Sequence, residues 1–220
     1  MSAATRAQVL DSIRRALTRR DTVPLPEARP AQREASSASL AERFAREAEK
    51  VGASVAVAAG PAAARAQVRR WLEAHQAHDV VCAPTPLVKR LELASSAGTI
   101  KVMDPAMSTR ERRERLLAAE VGISDADYGL ADTGTLVVRA TPEQGRLVSL
   151  APPVHIALLS ARSILPNLAA CFSALNPREE TRRSSLLTFI TGPSRTADIE
   201  QTLTVGVHGP GALYILLLEQ

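Results

Sequence analysis

The sequence predicts an α/β fold: a mainly parallel sheet with helices on both faces, plus a helical arm at its N-terminal end. Two observations carry this. Short apolar runs of strand length alternate with helix-patterned stretches through the first half of the chain. The 220 residues are 45% hydrophobic but only 3% aromatic, enough chain to bury a core without staples, built from Leu, Val, Ile and Ala.

Residues 3–20 are helix-patterned, with Leu10, Ile13 and Leu17 on one face and arginines around the other. A linker with Pro24, Pro26 and Pro30 follows, so residues 1–38 form an arm and residues 39–220 the α/β domain. Ser39 and Glu42 have capping-box spacing for a helix to about residue 51. Then come a strand at 54–58, a helix at 61–77 with proline in its first turn, a strand at 79–83 and a helix at 86–93. A strand at 99–103 and a charged helix at 109–119 complete the alternation. Beyond Glu120 apolar runs crowd together at 136–139, 154–159, 186–190 and 213–218, with one helix at 166–175. These later strands are expected to join the same sheet.

Composition removes several functions. Two cysteines, Cys82 and Cys171, are too few for an all-cysteine iron–sulfur cluster. No apolar run reaches membrane-spanning length, and no signal-peptide core opens the chain, which favours the cytoplasm. The net charge of +4 owes much to Arg6, Arg14, Arg15, Arg19 and Arg20. Without aromatic stacking platforms or a binding motif, those arginines point away from nucleic acid and toward a solvated face or an anionic partner.

Four stretches combine turn chemistry with ionisable groups. Asp132-Thr133-Gly134-Thr135 leads into a strand; its amides either cradle an anion or close a satisfied tight turn. His155 opens a strand after two prolines, as a core-edge residue or as a proton donor or ligand. Gly192-Pro193-Ser194-Arg195-Thr196-Ala197-Asp198 is expected to open a short helix capped by Ser194. Arg195 in that first turn opposes the helix dipole and calls for an anion, either Asp198 or a ligand carboxylate or phosphate. His208-Gly209-Pro210-Gly211 precedes the last strand, so it is not a dinucleotide fingerprint. His155 and His208 with Asp132 or Asp198 lack diagnostic metal-ligand spacing, and no metal site is expected.

The stretches 126–135, 153–156, 192–200 and 206–210 together resemble the LUD domain family, most of all its lactate utilization protein C (LutC/YkgG) group. The order, the approximate spacing and the arginine-rich first helix agree, so the resemblance spans most of the chain. It implies a Rossmann-like fold of the NagB/RpiA/CoA-transferase kind. It also implies a role in oxidising L-lactate to pyruvate with two companion proteins that carry the iron–sulfur clusters, this chain holding no cofactor. On that reading Arg195 binds the lactate or pyruvate carboxylate, and His155, His208 or Asp198 handles protons. Asp132, Thr133, Gly134, Thr135, Gly192, Ser194 and Thr196 complete the binding positions. Two alternatives stand beside it. One is a stand-alone enzyme for a sugar phosphate, folate or CoA ester, with phosphate in the Asp132–Thr135 turn. The other is a non-catalytic subunit that senses lactate.

Overall fold

In the computed structural model, strand after strand buries both faces, and this sets the layers. The structure describes residues 3–18, 37–93, 100–175, 184, 186–197 and 203–219. The chain forms two units, Met1–Pro30 and Ala31–Gln220. The first contains helix α1, Ala3–Thr18. Its Val9, Leu10 and Ile13 are exposed, and Arg15 pairs with Asp11 one turn back at 3.2 Å.

In chain order the second unit begins with α2 (Ser37–Lys50), β1 (Ser54–Ala58), α3 (Pro61–Ala74), β2 (Val80–Cys82), α4 (Pro86–Arg90) and β3 (Ile100–Val102). It continues with α5 (Thr109–Ala118), β4 (Val121–Asp125), β5 (Tyr128–Leu130), β6 (Thr135–Arg139), β7 (Val154–Ser160) and β8 (Ile164–Leu165). Helix α6 (Leu168–Ala174), β9 (Leu187–Ile190), β10 (Arg195–Ala197), β11 (Leu203–Val205) and β12 (Ala212–Leu218) follow. α2 starts before Ser39, so the Ser39–Glu42 spacing lies inside a helix. The capping box sits instead on α5, where Ser108 and Glu111 satisfy each other's backbone N–H groups.

The central sheet has six strands in the order β1-β12-β7-β4-β2-β3, and every pairing in it is parallel. Alternate side chains face opposite ways. Val80, Ile123, Ile156 and Leu216 pack with Val68 and Leu72 of α3 and Val88 of α4. On the other face Ala157, Leu159, Ile215 and Leu217 pack with Phe44 and Ala48 of α2 and Leu136 and Val138 of β6. Val81 meets Leu116 of α5. The expected mainly parallel sheet with helices on both faces is therefore the architecture observed.

The later strands correct one expectation. β7 and β12 enter the central sheet, but β6 and β9 join β5 and β8 in a second sheet, ordered β8-β5-β6-β9. β6 runs antiparallel to β5 across the turn at Ala131–Gly134, and a connection that short permits only antiparallel neighbours. The second sheet then takes part of one face of the central sheet, where another helix was the expected cover.

Chain direction gives the sheet two unlike edges. From β2 the chain leaves through α4 on one face and outward to β3. From β4 it leaves through the second sheet on the opposite face and inward to β7. β2 and β4 are thus adjacent strands whose connections diverge, a topological switch point with a crevice at its carboxyl end.

Candidate functional site at the amino edge of the sheet

His155 is the second residue of β7, and the parallel register sets it beside Leu213 of β12 and Gly122 of β4. All three sit where the central strands begin. A cavity of about 300 Å³ opens there, lined by His155, Leu213, residues 188–195 and residues 208–210 together with Ser149 and Leu150. Gly192, Ser194, Arg195 and His208 belong to that lining. Sequence positions 155, 195 and 208 thus meet in one cavity. Among the described residues no aspartate or glutamate lines it.

The segment expected to be a helix is strand β10, paired antiparallel with β11 so that Arg195 faces Val205. With no helix dipole to oppose it, Arg195 finds its electronegative partner elsewhere. Its Nη2 donates to the Val51 carbonyl at 2.9 Å, just past the end of α2. That end closes as a Schellman motif, with Gly52 N–H donating to the Glu49 carbonyl at 2.9 Å and Ala53 N–H to Ala48 at 3.0 Å. A cation at a helix C-terminus complements the dipole. Gly192 makes the approach possible: its φ of +77° is left-handed, and a Cβ there would collide with the Val51 carbonyl. Ser194 N–H donates to the Pro210 carbonyl at 2.8 Å, and Gly206 N–H to the Ser194 carbonyl at 2.9 Å. These bonds tie the His208 loop to the Arg195 segment.

His155 is 1% exposed, and burial lowers its pKa from 6.5 to about 4, so the ring is neutral at pH 7. Its Nε2 lies 2.9 Å from Ser124 Oγ. Its Nδ1 is enclosed and has no hydrogen-bond partner among the described residues.

The other candidate positions fall elsewhere. The Asp132–Thr135 turn is not in the cavity lining, and its amides are spent: Asp132 N–H donates to Pro166 at 3.1 Å and Gly134 N–H to Leu130 at 2.9 Å. Gly134, at φ +63°, is there because α2 packs against it, a Cβ striking the backbone of Ala48. The backbone is that of a closed turn, while Asp132 Oδ1 is enclosed with no hydrogen-bond partner among the described residues. The turn's threonines still reach the cavity wall, Thr133 Oγ1 to Thr135 Oγ1 at 2.7 Å and Thr135 Oγ1 to Thr191 Oγ1 at 2.8 Å. Thr196 pairs with Thr204 in the β10–β11 ladder. Asp198 lies outside the described residues.

A second cavity, of about 500 Å³, occupies the switch point at the carboxyl edge, between Pro84–Leu87 and Asp125–Asp127. The sequence alone did not mark its polar residues, although Asp125 ends β4 and Asp127 lies two residues beyond it. Asp125 Oδ2 accepts from Leu87 N–H at 2.9 Å, in the first turn of α4. Burial pushes its pKa up, against the Leu87 hydrogen bond that pulls it down, and its Oδ1 is enclosed without a hydrogen-bond partner among the described residues. Asp127 holds both the backbone N–H and the Nε of Arg139, at 2.8 and 2.7 Å. The Gln144 amide grips both backbone groups of Asp125, at 3.0 and 2.9 Å. Nearby, Cys82 has its thiol pKa pushed up to about 12 by burial, with Asp125 adding to the effect. It is unreactive at neutral pH.

A family model described as LUD domain matches residues 41–218. The chain is 34% identical over 134 residues to lactate utilization protein C of Geobacillus kaustophilus, covering 60% of this chain and 55% of that protein. It is 35% identical over 153 residues to the protein of the same name in Halalkalibacterium halodurans, covering 66% and 65%. It is 38% identical over 120 residues to protein YkgG of Escherichia coli, covering 54% and 52%. The chain thus spans between about half and two-thirds of the length of these relatives. A solved DUF162 family protein from Deinococcus radiodurans shares the fold, with a TM-score of 0.61 at 19% identity over 84% of this chain and 99% of that one.

Proposed function

This chain belongs to the LUD domain family, and from that premise we propose that it is the carboxylate-binding component of a cytoplasmic complex that oxidises L-lactate to pyruvate. The observation that carries the reading is the amino-edge cavity. It gathers Arg195, His155 and His208 and has no acidic lining among the described residues. A guanidinium suits a carboxylate, and an imidazole suits the oxygen at the 2-position. The names of the relatives support lactate utilization as the setting. Oxidation removes two electrons and two protons from lactate. The two electrons and the Cα hydrogen would pass to the two companion proteins that carry the iron–sulfur clusters, and the hydroxyl proton would leave through His208, which lines the cavity. Among the described residues no helix is long and apolar enough to cross a membrane.

The test is anaerobic L-lactate oxidation with an artificial electron acceptor. It compares this chain alone, the iron–sulfur companions alone, and the mixture. Activity confined to the mixture, and reduced on the order of tenfold or more in an Arg195→Ala mixture, is the expected result. Undiminished oxidation with Arg195→Ala would remove the carboxylate role. Activity without this chain would remove the component role.

The carboxyl-edge crevice favours a second reading, a stand-alone enzyme for a sugar phosphate or CoA ester, because open α/β sheets commonly bind ligands at a switch point. A rise in melting temperature with those compounds, and none with lactate or pyruvate, would select it.

A further inference from the structure

We infer that Ser124 fixes His155 as the Nδ1–H tautomer, making that ring a hydrogen-bond donor to the acceptor oxygen of a 2-oxo acid in the amino-edge cavity. Ser124 is thus a positioning residue. Its role in binding rests on the lactate reading above; its effect on the ring does not.

The assignment comes from counting donors and acceptors in a buried pair. Ser124 is fully enclosed and His155 nearly so. The Ser124 hydroxyl has one hydrogen-bond partner among the described residues, Nε2 of His155, at 2.9 Å. A hydroxyl must place its hydrogen, and a neutral imidazole carries one N–H and one bare nitrogen. If Nε2 carried the hydrogen it would donate to Ser124 Oγ. The serine hydrogen would then have no acceptor, and Nδ1 would be left as an unused lone pair. If Nε2 is bare, the serine donates to it and the pair is satisfied. Only one group then lacks a partner, the Nδ1–H. Leaving a buried donor unmade is costly, so the second arrangement is favoured and its one remaining donor calls for an acceptor.

The surroundings say what kind of acceptor. His155 lines the cavity with Arg195 and His208, and no carboxylate lines it among the described residues. A donor N–H and a guanidinium lining one cavity select an anionic, oxygen-bearing ligand. The carbonyl oxygen of a 2-oxo acid only accepts, whereas the hydroxyl of a 2-hydroxy acid must also place its own hydrogen. A ring that already carries its hydrogen on Nδ1 cannot take the hydroxyl proton there. Of the titratable groups lining the cavity, His208 is the one left to accept it. His155 then polarises the oxygen from which that proton departs.

The side chain of Ser124 came to this position through register rather than motif. β4 and β7 are neighbours in the parallel sheet, with Gly122 opposite His155. Ser124, two residues on, points to the same face.

The experiment is long-range ¹H–¹⁵N correlation of the histidine rings in the purified full chain at pH 7, with His155→Gln to assign the signal. The expected spectrum has His155 protonated on Nδ1 and bare at Nε2. Ser124→Ala should mix or reverse the two forms, and Ser124→Thr should restore the original one. Pyruvate titrated into the wild-type chain should shift the Nδ1–H resonance, and its affinity should fall roughly tenfold in Ser124→Ala. An Nε2–H tautomer in the wild type, or an unchanged tautomer in Ser124→Ala, would overturn the role of Ser124 whatever pyruvate does. The expected tautomer without any pyruvate binding would overturn the ligand assignment and the lactate reading with it. The wild-type spectrum decides the tautomer even if a variant does not fold.

Discussion

The two edges of the central sheet treat ionisable groups in opposite ways. At the carboxyl edge the charged groups are largely committed to the fold: Asp125 receives the first turn of α4 and Asp127 holds Arg139. At the amino edge Arg195 shares its guanidinium with a helix end, and His155 keeps a ring nitrogen without a partner among the described residues. The larger crevice sits where ligands commonly bind in such sheets, yet its polar atoms mostly hold the protein together. The smaller cavity carries the cationic lining that a hydroxy- or oxo-acid needs. Position in a fold is a prior; the state of the side chains decides.

The contrast extends to pH, and here the largest effect is expected. Burial lowers His155 and raises Asp125. Between pH 4 and 6.5 the unfolded chain binds a proton at residue 155 that the folded chain refuses. The contribution of His155 to stability is therefore complete above pH 6.5 and is lost as pH falls toward 4. A fall in pKa from 6.5 to about 4 corresponds to roughly 3 kcal/mol over that window. Asp125 has the opposite sign: its raised pKa favours the fold at low pH and loses that advantage as pH rises. Denaturant titrations of wild type and His155→Gln at pH 7 and pH 4.5 isolate the histidine. The variant should lose less stability on acidification; parallel losses would mean that His155 is not held neutral by burial.

The next effect in size tests how the amino edge is assembled. Gly192→Ala introduces a Cβ at positive φ against the Val51 carbonyl. This should cost about 2 kcal/mol and weaken pyruvate binding by moving Arg195. Gly145→Ala is the control, because a Cβ there meets nothing within 4 Å and stability should hold or rise slightly. Equal melting curves for the two variants would show that α2 and the Arg195 segment are not locked together as drawn.

Much of the fold was legible because period and punctuation agree through the first half of the chain: apolar strand runs, proline-led α3 and α4, and charged α5. The second sheet was not, since β6 and β9 have the same apolar composition as the strands of the central sheet. Only the short antiparallel turn after β5 separates them, and sequence does not reveal pairing partners. β10 read as a helix because Ser194 looks like a cap, but tertiary bonds from Ser194 to Pro210 and from Arg195 to Val51 override that local preference. His155, Arg195 and His208 were visible as ionisable groups beside glycines and prolines. Ser124 carried no signal, because its meaning depends on a register between strands about thirty residues apart. Asp125 was visible as a residue but not as the acceptor for a helix that starts 39 positions earlier, at Pro86.

The smallest expected effect cuts most directly between the edges. Thr85, at the N-cap of α4, makes no side-chain capping bond, so Asp125 does that work from β4. Asp125→Asn keeps an oxygen for Leu87 N–H and removes the charge. Two terms then oppose one another. The charge-assisted bond to a helix N-terminus is lost, which costs stability. The penalty for burying a carboxylate, the largest cause of its raised pKa, is relieved. The net change should lie within about 1 kcal/mol, while Asp125→Ala, which removes the acceptor, should cost about 1–2 kcal/mol. Pyruvate affinity should be the same in wild type and Asp125→Asn, because residue 125 does not line the cavity that holds Arg195. Calorimetric titration checks this. A tenfold loss of pyruvate binding in a folded Asp125→Asn chain would place the carboxylate at the switch point, and the cationic amino edge would then need another ligand.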